Sequence, residues 1–289
     1  MKVDAPVREH PMEGLLRMDR IPHIWCPTCG IGTALTAFAS ALEEQEVSPD
    51  SVSIVSGIGC TGRVAGYTKL DSYHTTHGRG IPFAVGLHLA NPSLKVVVFS
   101  GDGDLVGIGG NHFIHAARRN VDITVVCVNN FLYAMTGGQV AATSPVTANT
   151  STSPYGNFEQ PFSLPLLAQS CGAVYVARWT ALHIRRMTKA FGEALQKKGF
   201  SFVEVIAPCS TLYARRNKLG TGLDLMKFYH DNSEIRHGAD PNDLDIGFQQ
   251  KIVCGKFVDI EKPTFLDAMN DGYRRAFGDR YEEYGGAHA

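Results

Sequence analysis

The sequence carries no surplus of charge: 27 Lys and Arg stand against 28 Asp and Glu, a formal net charge of −1. That balance removes the global electrostatic case for nucleic acid or an anionic membrane as partner. Long apolar runs are missing too, and nothing approaches the roughly 18 residues of a membrane span. Asp4, Glu9, Glu13, Arg17, Asp19 and Arg20 interrupt the stretch where a secretory signal needs an unbroken apolar core. The expectation is a cytoplasmic protein. No internal repeat or low-complexity block is present, and no Lys-Ser or Lys-Thr follows a glycine loop, which excludes a P-loop. The composition, 44% hydrophobic and 19% charged, lacks the signature of disorder. The 7 cysteines are an odd number, and in a reducing compartment clustered thiols are better read as metal ligands than as disulfides.

What is present reads as α/β. Short, continuous apolar segments suit buried strands: Ser51 to Ser56, Lys95 to Ser100, Asp122 to Val128, Ala173 to Ala177 and Ser201 to Ile206. Apolar residues at helical spacing lie between them, over Thr33 to Glu44, Ile81 to Ala90, Gly110 to Arg119, Leu164 to Ser170 and Ala181 to Gln196. This alternation predicts a doubly wound, mostly parallel sheet covered on both faces. Residues 1–24 form a polar lead, 25–211 the main domain, and 212–289 a polar tail without pattern, expected to be irregular and to wrap over the domain or a partner. Gly137 to Pro165, rich in Thr, Ser, Pro, Asn and Gly, is a long loop of the kind that is commonly functional.

Two glycine motifs follow strands. Gly57-Ile58-Gly59-Cys60-Thr61-Gly62 fits the letter of a dinucleotide fingerprint, but Arg63 to Arg79 shows no helix face, and the nearest acid, Asp71, lies in that irregular stretch. Gly101-Asp102-Gly103-Asp104 and Asn129-Asn130 each follow a buried strand, with room between them for one crossover helix, so both lie at the same carboxyl edge where ligands bind. A carboxylate and an amide oxygen there are hard donors suited to Mg²⁺ holding a diphosphate. This pair resembles the diphosphate-and-magnesium motif of thiamine-diphosphate enzymes. The resemblance implies Asp102, Asn130 and the Leu132 carbonyl as magnesium ligands.

Cys26 and Cys29 form a CxxC turn, equally suited to zinc, an iron–sulfur cluster or redox work. Cys60 and Cys209 stand at strand ends, whereas Cys127, Cys171 and Cys254 read as ordinary small apolar side chains. Ligand count alone does not separate zinc from iron–sulfur.

Over most of its length the chain is similar to the β subunits of two-chain 2-oxoacid:ferredoxin oxidoreductases, especially the 2-oxoglutarate type. The likeness rests on residues 25–32, 56–63, 74–92, 101–120, 135–139 and 207–217. It implies a thiamine-diphosphate-type fold and a 4Fe–4S cluster on Cys26, Cys29, Cys60 and Cys209. It places the cofactor against Ile58, Gly59, Cys60, Thr61, Thr75, Thr76, His77, Gly78, Gly103, Asp104, Ala134 and Met135. Cys60 and His77 are the catalytic candidates, and His77 is preferred to His74. His112 and His115 are read as packing or supporting residues. The implied reaction converts a 2-oxoacid and coenzyme A to acyl-CoA and CO₂ while reducing ferredoxin, reversibly. No Glu in these motifs can serve the aminopyrimidine, so an α subunit is expected to supply that carboxylate in an α2β2 heterotetramer. Some relatives carry Lys where Gly137 stands here, which leaves pyruvate or a broad 2-oxoacid range open beside 2-oxoglutarate. The remaining alternatives are a non-redox thiamine lyase or synthase and a zinc-stabilised nucleotide-binding module.

Overall fold

A computed structural model describes residues 11–207 and 209–285. Residues 1–10 of the lead, Pro208 beside Cys209, and 286–289 of the tail lie outside the described residues. The helices are α1 (Ile31–Glu44), α2 (Gly80–Ala90), α3 (Gly110–Arg118), α4 (Leu164–Ser170), α5 (Ile184–Gln196), α6 (Gly222–Asn232) and α7 (Phe265–Phe277). The strands are β1 (Val52–Ser56), β2 (Asp71–His74), β3 (Lys95–Gly101), β4 (Thr124–Asn129), β5 (Leu132–Tyr133), β6 (Gln139–Val140), β7 (Tyr175–Thr180), β8 (Ser201–Ile206), β9 (Ser233–Ile235) and β10 (Ile252–Asp259).

Eight strands form one sheet in the order β2-β1-β3-β4-β8-β7-β10-β9, and β5 with β6 makes a small separate ribbon. From β2 to β7 neighbours are parallel. The strands read as unbroken apolar runs because each face has its own core. Val97, Phe99, Val126, Val128, Val203 and Val205 face one layer, in which Phe38 of α1 and Phe191 of α5 pack around Phe99. Val96, Val98, Val125, Cys127 and Phe202 face the other, with Phe113 of α3 set edge-on to Phe202. Period-two alternation thus sorts side chains between two buried layers. From β1 the chain passes to β2 on one side, then returns to β3 on the other. The carboxyl ends of β1 and β3 therefore flank a topological switch point, where open α/β sheets bind ligands.

Two expectations are corrected. The stretch after Gly62 is not wholly irregular: Thr61–Tyr67 forms a 3-10 turn and Asp71–His74 an edge strand paired to β1. All four residues of that strand are exposed, so it carries no apolar signal. The tail is not irregular either. β10 adds antiparallel to β7, and a bulge between Lys256 and Val258 breaks its alternation. Helices α6 and α7 each begin with a capping box, Thr221 with Asp224 and Thr264 with Asp267. No helix among the described residues is long and apolar enough to cross a membrane.

His88 on α2 is 4% exposed, and its Nδ1 has no hydrogen-bond partner among the described residues. Burial holds its pKa below the ordinary histidine value. Below the unfolded-state pKa the unfolded chain takes up a proton that the folded chain refuses, so stability falls with pH from about 6.5 downward. His88→Leu should flatten that loss, read as urea unfolding at pH 7.5 and 5.5. An unchanged difference between the two pH values would assign the acid loss to other groups.

Candidate active site

The glycine turn after β1 and the Gly101–Asp104 turn after β3 meet at one cleft. Its lining includes Ile58, Gly59, Cys60, Thr61, His77, Asp102, Gly103, Asp104, Asn130, Leu132, Ala134 and Met135. Of the expected cofactor contacts, Thr75, Thr76 and Gly78 are not on this lining. Thr75 is buried with its hydroxyl on the Ser56 carbonyl at 3.1 Å, and a Cβ on Gly78 would strike Ile108 and Gly109. His74 turns away, its Nδ1 2.9 Å from the Gly62 carbonyl. His115 is exposed and His112 half-buried, so neither packs in the core.

Close approach explains two of the glycines. A Cβ on Gly57 would lie 1.6 Å from Asp104 Oδ2, and one on Gly103 would meet the Tyr133 ring at 2.5 Å. Gly103 opens a π-helical turn over Gly103–Ile108, an element frequent at functional sites. Tyr133 locks that turn by donating its hydroxyl to the Gly103 carbonyl at 3.1 Å.

Asp102 is 1% exposed. It accepts hydrogen bonds from the Thr143 hydroxyl and, at 3.4 Å, from the Asn130 amide. Burial nevertheless pushes its pKa up to about 6. A buried carboxylate in this condition is relieved by a cation, and Asn130 and Leu132 on the same cleft bring further oxygens, a set suited to Mg²⁺. Asp104 works differently. Its Oδ1 accepts the Gly78 amide at 2.8 Å and the Ile58 amide at 3.1 Å, and its Oδ2 takes the Ser100 hydroxyl at 2.5 Å. Asp104 thereby pins the ends of three loops. His77 Nδ1 lies 2.5 Å from Asp104 Oδ1, but its direction is too poor for a hydrogen bond. The ring stands at the cleft wall.

The four cysteines line a second cavity, of about 190 Å³. Three contacts draw their turns together. Ser210 Oγ donates to the Pro27 carbonyl at 3.1 Å, and Trp25 Nε1 donates to the Cys60 carbonyl at 2.8 Å. Gly30 sits so close to Ala181 and Ala207 that a Cβ would clash with both. Burial raises the Cys29 pKa to about 11, and burial with repulsion from Cys209 and Cys26 raises that of Cys60. Raised against ionisation and held together, these thiols are of the kind that a bound metal would relieve by supplying compensating charge. Among the described residues no three His, Cys, Asp or Glu side chains converge on a single-ion position. Cys127 and Cys254 are fully buried apart from this cavity, and Cys171 is half-buried.

A buried network escaped the sequence reading. Glu204 on β8 lies opposite Arg178 on β7, their Oε2 and Nε 2.6 Å apart, and both are 1% exposed or less. Asn129 donates to Glu204 Oε1 at 2.8 Å and accepts the Phe131 amide at 3.1 Å. Asn129 thus anchors the strand end while Asn130 lines the cleft. The clue was a lone Glu and a lone Arg in two apolar strands, legible only once their register is known.

The thiamine pyrophosphate enzyme C-terminal TPP-binding domain family matches residues 40–205. The chain is 48% identical over 266 residues to 2-oxoglutarate synthase subunit KorB of Methanothermobacter marburgensis, covering 91% of this chain and 92% of that one. It is 40% identical over 187 residues to 2-oxoacid:ferredoxin oxidoreductase 2, subunit beta, of Aeropyrum pernix, covering 65% and 60%.

The chain belongs to the 2-oxoacid:ferredoxin oxidoreductase β subunits of the thiamine pyrophosphate enzyme family.

A solved structure of 2-oxoglutarate:ferredoxin oxidoreductase from Magnetococcus marinus, with 2-oxoglutarate, coenzyme A and succinyl-CoA bound, superposes at a TM-score of 0.82. Identity is 29%, with 94% of this chain and 92% of that one covered. For this oxidoreductase β subunit the doubly wound parallel sheet expected from the sequence is the observed one.

Proposed function

We propose that this β subunit binds thiamine diphosphate and Mg²⁺ in the cleft after β1 and β3 and a 4Fe–4S cluster on Cys26, Cys29, Cys60 and Cys209. With an α subunit it would oxidise 2-oxoglutarate and coenzyme A to succinyl-CoA and CO₂, passing electrons to ferredoxin. One observation carries this reading: the cofactor cleft and the four-cysteine cavity share Cys60, Asn130, Ala134 and Met135 as a common wall. A redox cluster set one residue's width from the carbon chemistry has a use there that a structural zinc does not. A cavity walled by four thiols suits a multi-atom cluster, whereas thiolates on one zinc would meet within about 2.3 Å of a single point.

When bound, thiamine diphosphate supplies the carbon nucleophile and the electron sink for loss of CO₂. The chain's own residues do the positioning. Asp102, Asn130 and the Leu132 carbonyl would hold the metal, and the glycine turns would let the backbone approach the diphosphate closely. His77 stands at the phosphate side, where its ring can donate to an oxygen. Asp104 keeps the loops bearing Ile58, Ser100 and Gly78 in register, and Trp25 fixes the Cys60 turn by donating to its carbonyl. The preference for 2-oxoglutarate is supported by the 48% identity to 2-oxoglutarate synthase subunit KorB, with pyruvate as the competitor that the assay must include.

The reading is tested by anaerobic co-expression with the α chain, followed by 2-oxoacid-dependent ferredoxin reduction. Activity should need both chains and coenzyme A, with kcat/KM higher for 2-oxoglutarate than for pyruvate. Robust decarboxylation by this chain alone would contradict it. Cys209→Ser should lower bound iron and bleach the broad absorbance near 400 nm, and unchanged iron would mean that the fourth ligand lies elsewhere.

A further inference from the structure

Two neighbouring hydroxyls of the long loop after β6 reach the two separate segments that carry the proposed metal ligands. Asp102 stands just past the end of β3, and Asn130 and Leu132 lie in the turn that follows β4. The pairing of β3 with β4 fixes where these segments leave the sheet. Beyond the last ladder bond their spacing needs another support. Thr143 and Ser144 supply it. The Thr143 hydroxyl donates to Asp102 Oδ2, and the Ser144 hydroxyl donates to the Phe131 carbonyl at 2.5 Å. Thr143 is 3% exposed and Ser144 0%, so water does not compete for either bond.

Phe131 is the residue that most needs such a support. It stands between Asn130 and Leu132 at φ 67°, in the left-handed region that a bulky residue takes only where its surroundings enforce it. Asn129 Oδ1 holds its amide and Ser144 holds its carbonyl. Asn130 Oδ1 in turn accepts the Leu132 amide at 3.2 Å, so a rotation at Phe131 would carry both oxygen donors with it.

The pair of hydroxyls is itself braced. Ser144 N donates to the Ala141 carbonyl at 3.0 Å, and Ala141 N donates to the Ser144 hydroxyl at 2.9 Å, which closes a tight turn. Asn157, 4% exposed, donates to the Ser144 carbonyl at 2.8 Å from behind. The two hydroxyls are therefore set by buried bonds, and one rigid dipeptide spans both ligand segments.

Rigidity of this kind discriminates between cations. Mg²⁺ demands near-ideal octahedral geometry at roughly 2.0–2.1 Å, whereas Ca²⁺ accepts about 6–8 oxygens at longer and more variable distances. Ligand segments locked at one spacing favour the first, and segments free to shift favour the second. We infer that Thr143 and Ser144 are positioning residues that hold Asp102 and the Asn130–Leu132 turn at one spacing and thereby set the site's selectivity for Mg²⁺ over larger cations. This inference rests on the proposed function for the metal and the cofactor.

The test uses the co-expressed α–β complex, stripped of metal and thiamine diphosphate, with Thr143→Val, Thr143→Ser and Ser144→Ala variants of this chain. Thiamine diphosphate binding is titrated by calorimetry with Mg²⁺ and, separately, with Ca²⁺, on samples whose thermal melts are recorded beside them. Thr143→Val and Ser144→Ala should each weaken Mg²⁺-supported binding by about 10–100-fold, the usual cost of losing an outer partner of a ligand, and Ca²⁺-supported binding by no more than about threefold. Thr143→Ser restores the hydroxyl and should stay within about threefold of the parent with both cations. Equal weakening with Mg²⁺ and Ca²⁺ would overturn the inference by making the pair merely structural, and so would unchanged Mg²⁺-supported binding in Thr143→Val and Ser144→Ala. A parent complex that binds no thiamine diphosphate with Mg²⁺ would overturn the proposed function, and this inference with it.

Discussion

Replacing Glu204 by alanine is expected to lower folding stability by about 3–5 kcal/mol, because it leaves Arg178 charged and buried without its counter-ion. The Leu244 carbonyl, 2.7 Å from Arg178 Nη1, is a weak substitute. The loss should extend beyond the pair. Asn129 would lose the Glu204 acceptor that fixes its amide, and with it the hold on Phe131, which sits at φ 67° and depends on its surroundings to stay there. Exchanging both partners for apolar residues, Arg178→Met with Glu204→Leu, should recover the part of the loss that comes from the unpaired charge, while Asn129 stays without its acceptor. Urea denaturation of the parent, single and double variants separates these outcomes. A Glu204→Ala chain within about 1 kcal/mol of the parent would show that the pair contributes little.

Asp102→Ala is expected to weaken Mg²⁺-dependent binding of thiamine diphosphate by at least about 100-fold, since a direct ligand should matter at least as much as the outer partners whose loss costs 10–100-fold. Its effect on folding should be small and should depend on pH. Burial raises the folded pKa of Asp102 to about 6. The carboxyl is therefore accommodated at low pH, and stability is lost as pH rises from the unfolded value through about 6. At pH 7 the metal-free parent carries that penalty, whereas an Asp102→Asn chain does not. Binding and stability should thus move in opposite directions at neutral pH. Calorimetric titration of thiamine diphosphate with and without Mg²⁺, beside thermal melts, reads both. Binding within threefold of the parent would remove Asp102 from the metal site.

The sheet was legible because its central strands are continuous apolar runs, and β8 has the expected bounds of Ser201–Ile206. The glycine turns after β1 and β3 were legible because close packing forces their composition. Neither signal existed for β2, which is exposed along its whole length, nor for β10, where a bulge and Gly255 at φ 154° disrupt the alternation. The helices of the tail did leave a mark in Thr221 with Asp224 and Thr264 with Asp267, each a Thr followed three residues later by an acid. At the site, residue identity gave the hard oxygens and the thiols. It could not tell that Asp104 is consumed by loop amides or that Thr75 faces the strand and not the cleft, because both depend on how three loops fold back on one another.

The central claim is that a thiamine cofactor and an iron–sulfur cluster share a wall at Cys60. It is tested most directly by iron, sulfide, zinc and thiamine diphosphate analysis of the anaerobically purified α–β complex, parent beside Cys60→Ser. The account predicts iron and sulfide in equal amounts with bound thiamine diphosphate and no stoichiometric zinc in the parent, and loss of iron in the variant. Zinc in place of iron, or full iron retained without Cys60, would contradict it.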